Sequence, residues 1–172
     1  MYKKIILIMI ILVQCLYAGK FLDIKRDGVI NVGVKYDFKP FGFIDHKSRL
    51  VGFDIEIAKH IAKKFDVSIK FFQVTSKSRI PRLLKGDIDI IIASMTHKIS
   101  RDKEIDFSIS YFFDGQSMLV REDEIGKSYK DFEKRKIGVI KGSTAGPNLK
   151  KLMPKAKLVY FTEYPQALRS LN

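Results

Sequence analysis

Five segments in the first half of the chain alternate between two hydrophobic periodicities, and their order restricts the fold more than any other feature. Val29 to Lys35 (VINVGVK) is short, apolar and β-branched, as a strand requires. Asp54 opens IEIAKHIAKKF, with Ile55, Ala58, Ile61, Ala62 and Phe65 on one helical face and Asp54 suited to the N-cap. Val67 to Val74 reads as a second strand. Arg79 to Lys85, with Pro81 near its first turn, reads as a short helix ending at Gly86. Ile88 to Ala93 is the third strand. The order strand, helix, strand, helix, strand demands a parallel sheet with right-handed crossovers. Tyr36 to Gly42 reads as a loop carrying Phe38-Lys39-Pro40-Phe41, and Phe43-Ile44 and Leu50-Val51 flank a polar turn.

The third strand leads into chemistry. The run from Gly86 to Tyr111, GDIDIIIASMTHKISRDKEIDFSISY, breaks from apolar residues into Ser94-Met95-Thr96, with Arg101 five residues on and Asp106-Phe107-Ser108 after it. Open α/β sheets place ligands beyond the carboxyl ends of their strands. Hydroxyls there, with a guanidinium one loop later, form a cradle for a small carboxylate, because arginine binds that group through two parallel charge-assisted hydrogen bonds.

Beyond Tyr111 the pattern changes. Gln116 to Val120 reads as a strand leading out, and Tyr129 to Arg135 as a short helix. Ile137-Gly138-Val139-Ile140 echoes Val32-Gly33-Val34, then runs into Lys141-Gly142-Ser143-Thr144-Ala145-Gly146-Pro147 and a helix to about Leu152. Lys157 to Phe161 is a further strand, and Pro165 to Leu171 a helix with Leu168 and Leu171 turned inward. A second α/β unit begins here.

Nearly everything after the first residues resembles the polar amino-acid family of bacterial periplasmic solute-binding proteins, family 3, which feed ABC importers. The likeness rests on VGVKYDFKPFGFID, LVGFDIEIAKHIAKKF, the strand-hydroxyl-arginine-DFS run and IGVIKGSTAGPNL. It implies an α/β, periplasmic-binding-protein-like (type II) two-lobe fold. The leader would be residues 1–18, the first lobe 19–120 and nearly complete, and the start of a truncated second lobe 121–172. By motif, Arg101 clamps the ligand α-carboxylate, and Ser94 and Thr96 complete the carboxylate and ammonium shell. Phe38 packs on the ligand's aliphatic stem, and Gly142, Ser143 and Thr144 form the anion site of the second lobe. Importers of basic amino acids tend to have an acid where Lys35 stands. Lys35, with Arg79 in Ser78-Arg79-Ile80-Pro81, implies an acidic or polar ligand; the alternative is two solvated surface cations. The family's second lobe continues to a strand ending in an aspartate that pairs with the ligand ammonium. Asn172 precedes that strand, so a truncated or split reading frame, or a fragment, is expected, with weak or absent binding. The implied partners are an amino acid and a membrane permease, the chain itself being a monomer. The second function class is an exported dehydratase or a sensor domain on the same scaffold.

The remaining features narrow the setting. Lys3-Lys4, an apolar run from Ile5 to Leu16 and Ala18-Gly19 outline a cleaved secretory leader, which places the protein in the periplasm. Cys15, the one cysteine, lies inside that leader, where Gln14 departs from the small residue that a lipid-anchor box requires. The net charge of +13 is scattered over helix faces such as Lys59, Lys63 and Lys64, so a solvated basic surface is expected rather than a nucleic-acid site. His46, His60 and His97 lack metal-ligand spacing, and no nucleophile-base pairing or phosphate loop stands out; neither metal nor cofactor is implied.

Overall fold

The computed structural model describes residues 19–171, so the leader and the lipid-anchor alternative at Cys15 lie outside the described residues. Helix α1 (Lys20–Asp27) stops on Gly28, whose N–H donates to Ile24 O from a left-handed φ of 66°. Strand β1 (Val29–Val34) follows, then a small antiparallel meander of β2 (Asp37–Phe38), β3 (Gly42–Ile44) and β4 (Leu50–Val51). Helix α2 (Phe53–Lys64), strand β5 (Ser68–Gln73), helix α3 (Arg79–Leu84) and strand β6 (Ile90–Ile91) complete the first half.

The main sheet has order β5-β1-β6, all parallel, with Val29 opposite Ser68 and Val32 opposite Ile90. Strand β1 is central, and Ile30, Val32 and Val34 are fully buried. They pack with Ile55, Ala58 and Ala62 of α2, Ile24 of α1 and Ile92. A fully buried Ile, Leu or Val side chain stabilises by about 1.5–3 kcal/mol relative to exposure, so this one cluster dominates the energetics of the half.

The second half is built on β7 (Lys136–Ile140) and β8 (Lys157–Phe161), parallel over five register pairs, with α4 (Ala145–Leu152) between them and α5 (Tyr164–Arg169) after. A loop ahead of β7 is pinned by Glu124, nearly buried and surrounded by Arg121, Lys127 and Arg135.

Several expectations need correcting. Asp54 is not the N-cap of α2; Gly52 is, and Asp54 lies in the first turn with its side chain turned inward. The third strand contracts to Ile90–Ile91 because it pairs only with β1 over two residues. Gln116 to Val120 is not a strand, since no backbone among the described residues forms a ladder with it. Tyr129 to Arg135 is a 3₁₀ turn over Tyr129–Phe132, held by a Ser128–Asp131 capping box. Asp37 and Phe38 stand in β2 rather than in a loop. Leu168 is 52% exposed instead of turned inward. Among the described residues, no helix is long and apolar enough to cross a membrane, and no group of acids, histidines or cysteines could hold a metal.

Candidate functional site

The carboxyl end of β6 opens into a cleft of about 1970 Å³ that continues to the second sheet. Ile92 and Ala93 are buried, and the chain then turns sharply at Ser94, whose φ of 47° is rare for a residue with a Cβ. The turn is held from behind. Asp54 Oδ2 accepts from Ser94 N at 2.9 Å and from Ser94 Oγ at 3.0 Å, while Oδ1 accepts from the Tyr111 hydroxyl at 3.0 Å. Burial raises the Asp54 carboxyl above the usual carboxylate range, against the pull of its hydrogen bonds from Ser94 and Tyr111. Burial, and then the Asp54 charge, raises the Tyr111 phenol.

Ser94 and Thr96 both line the cleft. Arg101 does not; its guanidinium lies between two carbonyls, donating to Thr96 O at 2.6 Å and to Gly142 O at 3.1 Å. It therefore bridges the first half of the chain to the second. Burial presses its basicity down, consistent with its half-buried place.

The two further cations are not solvated, so that alternative is overturned: Lys35 is 2% exposed and Arg79 3%. Lys35 Nζ lies 2.9 Å from Asp37 Oδ1, off the hydrogen-bonding direction, and 5.2 Å from the ring centre of Tyr164. It stands behind Asp37 with its charge balanced there. Arg79 lines the cleft, donates to Ala93 O at 2.6 Å and leaves Nε without a partner. Burial, then the neighbouring charge of Arg101, pushes Arg79 down to about 10, so it remains a cation at neutral pH.

The opposite wall comes from the second sheet. Gly142, φ 77°, turns the chain after β7, and a Cβ there would meet Ser76 O at 2.6 Å. Ser143 and Thr144 line the cleft beyond it. Ser143 Oγ accepts from Ala145 N at 3.3 Å, and Thr144 Oγ1 accepts from Gln116 Nε2 at 2.9 Å. Tyr164 reaches across: its ring stacks on Phe38 at 4.6 Å, and its backbone N–H donates to Asp37 Oδ2 at 3.1 Å. Phe38 is also stacked on Phe41 at 5.6 Å.

Thus Phe38, Arg79, Ser94, Thr96, Ser143 and Thr144 all line one cleft, whereas Arg101 and Lys35 do not. Sequence reasoning missed Asp37, Tyr111, Tyr164, Gln116 and the inward role of Asp54. A signal existed for Asp54: Gly52 before it can cap the helix, which frees the acid for another task.

A family model for bacterial extracellular solute-binding proteins, family 3, matches residues 30–168. The chain is 43% identical over 154 residues to the glutamine-binding protein of Geobacillus stearothermophilus, covering 87% of this chain and 59% of that one. An ancestral amino acid-binding protein, described as a precursor of cyclohexadienyl dehydratase, superposes with TM-score 0.85 at 35% identity, covering 89% of this chain and 69% of that one. An ancestral arginine-binding protein bound to arginine superposes with TM-score 0.79 at 39% identity, covering 84% and 65%. The fold is the α/β, type II fold of two-lobed periplasmic binding proteins. The chain belongs to the bacterial extracellular solute-binding proteins, family 3. It spans about 59% of the length of the glutamine-binding relative.

Proposed function

We propose that this chain forms the carboxylate-binding side of an amino-acid site in an extracytoplasmic binding protein of an ABC importer. The observation that carries the reading is the meeting of strand-end Ser94 and Thr96 with Ser143 and Thr144 across one cleft. Residues 19–120 and 121–172 act as the two lobes, and Arg101, at their junction, takes the ligand α-carboxylate by exchanging its carbonyl partners for it. Phe38 packs on the aliphatic stem, with Ser143 and Thr144 on the second-lobe side. The exported chain works in the periplasm and hands its ligand to a membrane permease.

The side-chain end favours an acidic or polar ligand. Lys35 is balanced by Asp37, whereas Arg79 has an unpartnered buried Nε on the cleft wall. A cation there disfavours lysine- or arginine-like ligands through like-charge cost, and glutamine, which the Geobacillus relative is named for binding, offers an acceptor instead. An exported dehydratase is the weaker alternative, because the matched relatives are named as binding proteins.

Titration of the full chain with L-glutamine, L-glutamate, L-aspartate and L-arginine, followed by ligand-observed NMR, tests the reading. The expected result is saturable binding in the weak range, with arginine last. Arg101→Ala is expected to cost about 2 kcal/mol, roughly 30-fold, as for truncating one partner of a charge pair. Absence of saturable binding by every ligand into the millimolar range defeats the proposal.

A further inference from the structure

We propose that the amino ends of β7 and β8 form a docking face for an anionic lipid surface. The chain's positive charge is not spread evenly: residues 127–157 hold nine lysines and one arginine against two acids, Asp131 and Glu133. The fold gathers much of this charge at one edge. Lys136 and Lys157 open the two strands and stand opposite each other in the parallel ladder, so their side chains leave the same face of the sheet. Lys134 and Lys155 lie two residues ahead of them, and Lys157 N–H donates to Arg135 O at 2.9 Å. The chain reaches β8 from α4 through one turn, Ala156 N–H to Met153 O at 3.1 Å, and α4 ends in a turn carrying Lys150 and Lys151. All six of these lysines are exposed.

Folding alone does not account for this arrangement. The helix dipole accounts for Lys150 and Lys151 at the carboxyl end of α4. It does not account for Lys136 opposite Lys157, a pairing of like charges that costs stability. Among the described residues none of the six forms an ion pair. Glu124 is taken by Arg121, Lys127 and Arg135, and Asp131 accepts from Ser128 N–H at 2.8 Å. Exposed apolar side chains lie among the cations, Leu152 beside Lys151, and Ile125 and Tyr129 on either side of Lys127. Lysine is a hydrated point charge on a flexible apolar stem, and it is sparse in the protein–protein interfaces that arginine favours. A lysine face with scattered apolar side chains therefore suits a diffuse negative layer over an apolar interior, which is what anionic headgroups present. The family is one of extracellular proteins, a setting that offers membrane surface rather than nucleic acid. Ser143 and Thr144 follow the opposite end of β7, about 13 Å along the strand from Lys136, so the face lies at the other end of the strand from the proposed site.

Co-sedimentation of the full chain with vesicles tests the assignment, with equal parts phosphatidylglycerol and phosphatidylcholine set against phosphatidylcholine alone. Wild type is expected to prefer the anionic vesicles and to lose most of that binding as salt rises from about 0.05 to about 0.3 M. Lys134→Gln, Lys151→Gln, Lys155→Gln and Lys157→Gln together leave Lys136, which also lines the cleft, in place. That variant is expected to bind anionic vesicles at least about 10-fold more weakly, since each lysine at such a surface is worth about 5-fold. Residues 1–18 are the same in every chain and cannot produce the difference. Lys47→Gln, Lys63→Gln, Lys64→Gln and Lys85→Gln together lower the net charge equally and are expected to change binding by no more than about 2-fold. Equal losses in the two variants overturn the assignment, because net charge is then the cause. Equal binding of wild type to both kinds of vesicle also overturns it, and that measurement needs no variant to fold. Competition by free glycerol phosphate at matched phosphate concentration marks a discrete phosphate site and overturns the surface reading. Binding to polyglutamate but not to vesicles marks an acidic protein partner and overturns the lipid. Each of these outcomes is separate from the amino-acid reading, which the ligand titration decides.

Discussion

Two acids flank the cleft in opposite electrostatic company. Asp37 faces the Lys35 ammonium, whereas Asp54 faces the donors of Ser94 and Tyr111, with Arg79 the cation acting on it at longer range. Because burial raises the Asp54 carboxyl in the folded state, the folded protein binds that proton more readily than the unfolded chain. The contribution of this group to stability therefore falls as pH rises from the ordinary carboxylate value through the raised one. Urea unfolding at about pH 4 and about pH 7 is expected to show wild type losing ground to Asp54→Asn at the higher pH. A gap that is constant with pH contradicts the raised carboxyl. Arg79 offers a second case. Its buried Nε lacks a partner, and the carboxylates near it are engaged elsewhere. Arg79→Met is expected to raise unfolding stability by about 1 kcal/mol while weakening acidic and polar ligands. A loss of both in thermal unfolding and titration defeats the idea that Arg79 is retained for ligand rather than for fold.

Helix α2 joins both levels of the structure, since its inner face builds the core and its first turn builds the site. Ile55 is fully buried against Ile30, Val32 and Val34. Ile55→Ala is expected to lower stability by about 3 kcal/mol, read as a drop in urea midpoint at unchanged slope. This face was legible in the sequence because Ile55, Ala58 and Ala62 recur at helical spacing. Strands β1, β5, β7 and β8 were legible too, as short apolar runs between turn residues. Other elements depended on partners that local pattern does not encode. Gln116 to Val120 has strand-like composition, yet a strand needs a neighbouring backbone and none among the described residues pairs with it. Helix α1 was overlooked although Phe21 and Ile24 share a face and Gly28 ends it, because the apolar leader before it dominates the local pattern. The cleft was legible where residue types come in order, as Ser94 and Thr96 do on its wall, whereas Arg101 of the same run stands outside it between Thr96 O and Gly142 O. It was opaque where residues far apart meet, as Tyr164 meets Asp37 across 127 positions.

At the scale of the whole molecule, the contacts between the two halves include Arg101 to Gly142 O, Gln116 to Thr144 and Asn148, Phe38 on Tyr164, and Tyr164 N–H to Asp37. Gly142 also comes close to the first half, with space for no Cβ beside Ser76 and Lys77. Gly142→Ala is expected to part the halves, seen as a larger radius of gyration by small-angle scattering, with little change in the core that surrounds β1. An unchanged radius shows that the approach is not what holds them together.

The stack of Phe38 on Tyr164 forms with nothing between the two rings. Both rings also line the cleft, so the stack covers the face of Phe38 that the cleft would otherwise offer. The aromatic pair is thus a rival to anything that seats itself on the Phe38 ring: the stack has to part first, and its strength is subtracted from the strength of binding.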